Sequence, residues 1–148
     1  MAVSTDTIEA YFKQLDWPFQ RRDEHNWSTG FKGDTYEFNF YVRTTDDWLY
    51  VYVPFPVKVN PAATNNLYEH LLRLNYNMNM AKFMLDDDSD TGLTVEIPNS
   101  DLQVGEFEDA LRAVCIYMDK NYVELVRLAT DPKAVSSLKP ADPAPATA

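Results

Sequence analysis

The sequence predicts an α+β fold, in which three helices pack with an antiparallel sheet of about five strands. Two features predict this class. Two pairs of segments alternate apolar and polar residues around acidic turns, which is typical of β-hairpins. Three further segments carry apolar residues at helical spacing, and they stand before, between and after the hairpins. With one short additional strand, the predicted element order is α-β-β-β-α-β-β-α.

The first predicted helix covers residues 5–15 and begins with a cap in which Asp6 and Glu9 take part. Its apolar stripe consists of Ile8, Tyr11, Phe12 and Leu15. Residues 27–31 then form a short predicted strand that leads into the first hairpin.

The first hairpin is the most informative segment, with predicted strands over residues 36–43 and 48–53 and a turn at residues 44–47. Pairing Arg43 with Trp48 places every apolar residue of both strands on one face, which must belong to the core. The apolar face carries Phe38, Phe40, Val42, Leu49, Val51 and Val53. The other face carries Glu37, Asn39, Tyr41, Arg43, Trp48, Tyr50 and Tyr52.

The aromatic residues of the second face combine large rings with polar tips, and such residues are enriched in recognition surfaces. We predict that six aromatic residues contact a partner protein: Tyr41, Trp48, Tyr50, Tyr52, Trp17 and Trp27. Two alternatives remain for the hairpin face, namely burial under a helix of the same chain and a dimer interface. For the last two tryptophans, the alternative is packing in the core.

The second half of the chain is predicted to contain a helix over residues 64–74 and a long helix over residues 104–129. The hairpin between them turns its apolar residues inward, and its register places Lys82 opposite Glu96 as a favourable cross-strand pair. The inward residues are Ala81, Phe83, Leu85, Leu93, Val95 and Ile97.

These elements predict a single α+β domain over residues 1–130. The remaining tail, residues 131–148, is rich in Pro and Ala and has little apolar content. Such a composition does not offset the entropy lost on ordering. We therefore predict that the tail is disordered and makes no contact with the core.

Composition limits the classes of function. The 148 residues include 13 Lys and Arg against 23 Asp and Glu, a formal net charge of -10. This charge opposes nucleic-acid binding and suits a basic or amphipathic protein partner. The single cysteine excludes an internal disulfide, and we find neither a secretory signal nor a membrane span. The expected location is therefore cytoplasmic, away from membranes.

The chain contains no nucleotide-binding glycine motif and no nucleophile elbow, so we predict neither an enzyme nor a cofactor. The chain has two histidines, His25 and His70, and each is expected to be exposed or to cap a helix. Two isolated histidines without a cysteine partner do not form a zinc site. Cys115 is expected to be a buried, inert thiol.

The acidic run over residues 86–92 looks like a calcium loop at first sight, because its aspartates fall at loop positions one, three and five. Position six is Thr91 instead of Gly, however, and position twelve is Ile97 instead of Glu. We therefore predict an acidic hairpin turn and no metal site.

The element order resembles the type III secretion chaperone-like fold, and in particular the YbjN family of bacterial proteins. The likeness covers residues 4–130, from the first helix to the end of the last. It rests on the aromatic hairpin ending at Phe55, the second helix with its Leu-Leu-Arg-Leu-Asn sequence at residues 71–75, the acidic turn and the long last helix.

The resemblance implies a non-enzymatic module that binds a peptide segment and is often dimeric. Some cyanobacterial proteins of similar fold look like assembly factors, one of them for the carboxysome shell. The interpretation is a chaperone or adaptor that holds a partner segment through aromatic anchors or at an exposed sheet edge. The first alternative is a regulatory or sensory-transduction protein that acts through homodimer contacts, and the second is an enzyme with an unfamiliar site.

Overall fold

The structure is a computed structural model and describes residues 1–140. The helices are α1 (Thr5–Gln14), α2 (Thr64–Asn77), which follows a short 3-10 turn (Pro61–Ala63), and α3 (Val104–Thr130). The strands are β1 (Gln20–Arg21), β2 (Asn26–Lys32), β3 (Glu37–Thr44), β4 (Trp48–Pro54), β5 (Ala81–Leu85) and β6 (Thr91–Pro98).

The six strands form one sheet in the order β1-β2-β3-β4-β6-β5, and every neighbouring pair is antiparallel. The α+β prediction is confirmed. Sequence analysis missed β1, because two residues are too short to show alternation. A row of directly opposed residues crosses five strands on the buried side of the sheet: Trp27, Val42, Val51, Val95 and Ala81. This row packs in one core with the apolar stripes of the three helices.

The first hairpin has a register two residues away from the predicted one. Arg43 lies opposite Tyr50 instead of Trp48, because β3 continues through Thr44. The turn is correspondingly tighter, and the Thr45 N–H donates to the Trp48 carbonyl at 2.8 Å. An even shift leaves the direction of each side chain unchanged. All six residues predicted for the apolar face are therefore buried, as expected.

The register of the second hairpin also differs by two residues from the predicted one, in the opposite direction. Lys82 lies opposite Thr94 instead of Glu96, yet its ammonium still reaches the Glu96 carboxylate diagonally at 3.2 Å. The prediction for Leu85 was wrong, because its side chain is 46% exposed. Leu85 is the last residue of an edge strand, where the sheet gives way to the acidic turn. That turn has the hairpin geometry predicted from its composition.

Helix α1 begins at Thr5, as predicted, but its N-cap lies two residues before Asp6, the predicted cap residue. The Ser4 hydroxyl accepts a hydrogen bond from the Thr7 N–H at 3.1 Å, so Ser4 is the N-cap. Glu9 has a different role, because its carboxylate accepts hydrogen bonds from the Arg21 guanidinium and the Trp27 indole. These bonds hold the pKa of Glu9 below its usual value and link α1 to the sheet.

The segment after α3 packs against the helices, in contrast to the predicted tail without core contact. We call residues 131–140 the C-terminal strap. Ala134 joins the core, and its carbonyl accepts a hydrogen bond from the Asn66 amide of α2 at 2.6 Å. The Ser137 backbone and hydroxyl both donate to Glu124 of α3. Residues 141–148, the rest of the predicted tail, lie outside the described residues.

His70 anchors the C-terminal strap and is fully buried, which corrects the prediction of an exposed or capping histidine. Its Nδ1 lies 2.6 Å from the Ser136 hydroxyl, and its Nε2 lies 3.5 Å from the Glu124 carboxylate. In the sequence, His70 is three residues after Leu67 and one before Leu71, so it lies on the same buried face of α2. The strap adds Ser136 as a hydrogen-bond partner of the ring, a contact that the composition did not predict.

Acidification is expected to destabilise the fold through His70. Burial lowers the pKa of His70; the Glu124 carboxylate opposes this and Arg127 adds to it. The unfolded chain then binds a proton at higher pH than the folded protein, so the free energy of unfolding falls as the pH drops below about 6.5. The pKa of Glu124 is also lowered in the folded protein, so Glu124 affects the free energy of unfolding only in a more acidic pH range, below the ordinary pKa of a glutamate. Urea unfolding across this range measures the effect.

The control is His70→Gln, which removes the titrating group. The pH dependence between 7.5 and 5.5 should largely disappear in this variant, compared on the same protein concentration and buffer. An unchanged dependence would contradict the assignment of the effect to His70.

Candidate functional site

The side of the sheet opposite the helices is open. In β3 and β4, each buried core residue alternates with a residue that is exposed or half-buried. We call this side the outer face. Within residues 1–140 no helix covers it. The alternative that a helix of the same chain buries this face is therefore wrong for the described part of the chain. Its central residues are Asn39, Tyr41, Arg43, Trp48, Tyr50, Tyr52, Lys82, Met84, Thr94 and Glu96.

Four of the predicted partner-binding residues lie on the outer face. Tyr41 and Trp48 are 44% and 42% exposed, while Tyr50 and Tyr52 are half-buried. The register places Tyr41 directly opposite Tyr52. Trp48 stands apart at the end of β4, opposite Pro98. The three tyrosines are thus brought together, and the tryptophan extends the aromatic surface along β4.

The other two predicted residues lie on the helix side. Trp27 is fully buried in the core, where its indole N–H donates to Glu9 at 3.0 Å. Trp17 is half-buried, and its ring meets that of Phe40 edge-on at 6.0 Å between centroids. Neither tryptophan contributes to the outer face. For Trp27 the reason is register, since its partner Val42 points into the core.

The three tyrosines line a shallow hollow of ≈ 390 Å³. Its other lining residues are Asn26, Arg43, Met84, Asp86, Thr94 and Glu96. Gly92 also shapes the hollow, because a Cβ there would collide with the Tyr52 ring. Glycine thus permits the close approach of the ring to β6. Sequence analysis missed the contributions of β5 and β6, because the neighbour of β4 in the sheet is not visible in either hairpin alone.

One end of the hollow is electronegative. Burial, together with the nearby carboxylates of Asp86 and Asp90, raises the pKa of Tyr52. The Asp86 side chain accepts hydrogen bonds from the Asp88 and Asp90 N–H groups, both at 2.9 Å, which holds the turn in place. The Tyr52 hydroxyl therefore stays protonated at neutral pH and can donate a hydrogen bond to a bound group.

The free edge of β5 is closed by a side chain of α2. The Asn75 amide accepts from the Phe83 N–H at 2.8 Å and donates to the Phe83 carbonyl at 3.1 Å. It satisfies the two backbone groups of Phe83, at the middle of the edge that an added strand would use. Strand addition at this edge would first have to displace Asn75, which favours the outer face as the binding surface.

Replacing Asn75 with Ala is expected to destabilise the protein by about 1–2 kcal/mol, because both Phe83 groups lose their partner. Urea unfolding measures the change. The matched control is Asn77→Ala, an exposed residue of the same helix. Equal effects of the two substitutions would contradict a stabilising role of the Asn75 amide at the edge.

Other candidate chemistry is limited in the described part of the chain. No group of three or more His, Cys, Asp or Glu side chains is arranged to hold a metal ion among residues 1–140. Burial, with a smaller effect of Asp119, raises the pKa of Cys115 to about 12, so the thiol is protonated at neutral pH. None of the described helices is long and apolar enough to span a membrane.

The fold is that of the type III secretion chaperone-like class. YbjN from E. coli matches with a TM-score of 0.62 at 14% identity, over 84% of this chain and 96% of that chain. A chain of the ExsC–ExsE complex matches with a TM-score of 0.57 at 14% identity, over 87% and 97% of the two chains. The heterodimeric ExoU–SpcU complex of the Pseudomonas aeruginosa type III secretion system contains a match with a TM-score of 0.56 at 15% identity, over 82% and 97%.

The chain belongs to the YbjN family, whose model matches residues 4–126 and is described as "Putative bacterial sensory transduction regulator". No curated protein matches the sequence significantly. At these identities the structural matches show the fold alone, and the resemblance inferred from the sequence is confirmed.

Proposed function

We propose that this protein is a non-enzymatic chaperone or adaptor that binds a segment of a partner protein on the outer face of its sheet. The observation that carries the proposal is the cluster of Tyr41, Tyr50 and Tyr52, with Trp48 beside it, on the side of the sheet without helices. Exposed clusters of apolar surface on a folded domain usually mark interaction sites. Tyr and Trp bury their rings while their polar tips keep hydrogen bonds, which suits a surface that is also stable without its partner.

Two observations support this proposal, one from the structural matches and one from the sheet edge of this protein. The ExsC–ExsE and ExoU–SpcU structures are complexes of two different proteins, and each contains a chain with this fold. A sheet of this shape is thus compatible with holding another chain. The closed edge of β5 favours side-chain recognition on the outer face over strand addition there.

Site-specific photocrosslinking in the native cell tests the proposal. A photoreactive benzoylphenylalanine replaces Tyr41, and in a control protein it replaces Val123, which is 63% exposed on α3. We expect one discrete adduct with a different protein from position 41 and none from position 123. Absence of an adduct at positions 41, 50 and 52 alike would contradict the proposal.

The alternative is a regulatory protein that acts through homodimer contacts, in line with the description of the family. Leu72 and Tyr76 favour it, because they are 71% and 90% exposed on α2, away from the outer face. Sedimentation equilibrium distinguishes the two functions. A dimer that dissociates in the Leu72→Ser, Tyr76→Ser double variant supports the alternative, and a monomer at all concentrations excludes it.

A finer form of the proposal concerns the cellular setting. We infer a cytoplasmic location, because a chain with a single cysteine forms no internal disulfide and so fits a reducing compartment. The resemblance to cyanobacterial assembly factors supports a role in building a larger complex, such as the carboxysome. An adduct from position 41 that contains a subunit of such a complex is the expected result.

A further inference from the structure

The hollow on the outer face has aromatic walls and a charged rim. Tyr41, Tyr50 and Tyr52 supply the walls, and Thr94 lies at its floor, where it is almost fully buried. Ring faces attract cations, and the attraction grows as the cation loses water. The hollow opens to solvent and offers room for one long side chain.

The two carboxylates on the rim lie at different ends of the hollow. Glu96 lies in the same cross-strand row as Tyr50 and Arg43, whereas Asp86 lines the hollow at the end beside the β5–β6 turn. Three more aspartates stand in the adjoining turn: Asp87, Asp88 and Asp90. Within residues 1–140, none of the four turn aspartates forms an ion pair, whereas Glu96 pairs with Lys82 at 3.2 Å. The end of the hollow beside the turn therefore carries negative charge that this part of the chain does not neutralise.

The opposite end of the hollow carries positive charge. Arg43 lines it next to Tyr50, and among the described residues it has no carboxylate within ion-pair distance. A cation that enters the hollow is repelled at the Arg43 end and attracted at the Asp86 end. The charges thus define both the sign of the bound group and the end at which it sits.

We propose that the tyrosine hollow receives a lysine or arginine side chain of the partner segment, with the cation beside Asp86 and its alkyl chain against the rings of Tyr50 and Tyr52. This inference rests on the proposed function and names the chemistry of the partner. The segment carries apolar residues next to the basic one, because the ring surface continues to Tyr41 and Trp48. The overall charge of -10 favours the approach of such a segment.

Selection of peptides from a random library displayed on phage, with the full-length protein as bait, tests this inference. We expect the recovered peptides to be enriched in Lys or Arg next to apolar residues. Recovery of outer-face binders without an excess of basic residues would overturn the inference and leave the proposed function intact. Recovery equal to that on a Tyr41→Ala, Tyr50→Ala, Tyr52→Ala triple variant would overturn both.

A matched pair of variants then tests the position of the cation with the best recovered peptide. Asp86→Asn retains the oxygen that accepts the two turn hydrogen bonds and removes the charge. It should weaken binding about fivefold. Asp46→Asn makes the same change in the β3–β4 turn, outside the hollow, and should leave the affinity unchanged. Arg43→Gln should strengthen binding. Equal affinities for all three variants would contradict the inference.

Discussion

Replacing Trp27 with Ala is expected to destabilise the protein by about 3–5 kcal/mol, the cost of deleting a large buried ring. Its indole is fully buried in the row that crosses the sheet, and it bonds to Glu9 of α1. The substitution would leave a cavity between α1 and the sheet and remove one of the two donors to the Glu9 carboxylate. Because a domain of this size has a total stability of about 5–15 kcal/mol, the loss is large.

Trp48→Ala is the matched control, since it makes the same change on the outer face. Its ring is 42% exposed, so the loss of stability should stay below about 1 kcal/mol. Urea unfolding measures both, and Trp27→Phe provides a folded comparison if Trp27→Ala is too unstable to purify. Equal losses at the two positions would contradict the assignment of Trp27 to the core and Trp48 to the outer face.

The faces of the sheet could be predicted from the sequence, although the registers could not. Alternation fixes which residues share a face, and a shift of two residues preserves that assignment. The choice between Trp48 and Tyr50 as the partner of Arg43 depends instead on the length of the turn. A turn that begins at Thr44 and one that begins at Thr45 leave the same residues in the core.

The candidate site was predicted in part for the same reason. Tyr41, Tyr50 and Tyr52 belong to one hairpin, so their common face follows from local alternation. Asp86 and Glu96 reach the hollow only because β6 pairs with β4, and this contact joins segments far apart in the chain. Strand order is set by tertiary packing, and hairpin patterns do not encode it.

The C-terminal strap shows a different limit of composition. Its Pro and Ala content predicts disorder, yet Ala134 and Ser136 are buried by contacts with α2 and α3. Four side-chain and backbone hydrogen bonds to Asn66, His70 and Glu124 hold it in place. Polar bonds to a preformed surface can order a segment that has little apolar content of its own.

Shortening Tyr50 or Tyr52 to Ala is expected to weaken binding of the partner segment by about 2 kcal/mol, or roughly thirtyfold, if the ring is an anchor. The fold should lose much less, because each ring lies on the outer face with one side open. Of the two rings, that of Tyr52 also packs against Gly92 of β6, so the stability of the Tyr52 variant must be measured together with its affinity. Titration of the protein with the peptide recovered by selection measures the affinity, and urea unfolding measures the stability.

Val51→Ala is the control that separates recognition from packing. Val51 lies between the two tyrosines in the chain but points to the opposite side of the sheet, where it is fully buried. Its truncation should cost about 2 kcal/mol of stability and leave the affinity of the remaining folded protein nearly unchanged. If Tyr50→Ala and Tyr52→Ala unfold the protein as strongly as Val51→Ala while the affinity per folded molecule stays constant, the tyrosines support the sheet and do not bind a partner. The opposite pattern assigns the two sides of a single strand to two functions, with stability on the helix side and recognition on the outer face.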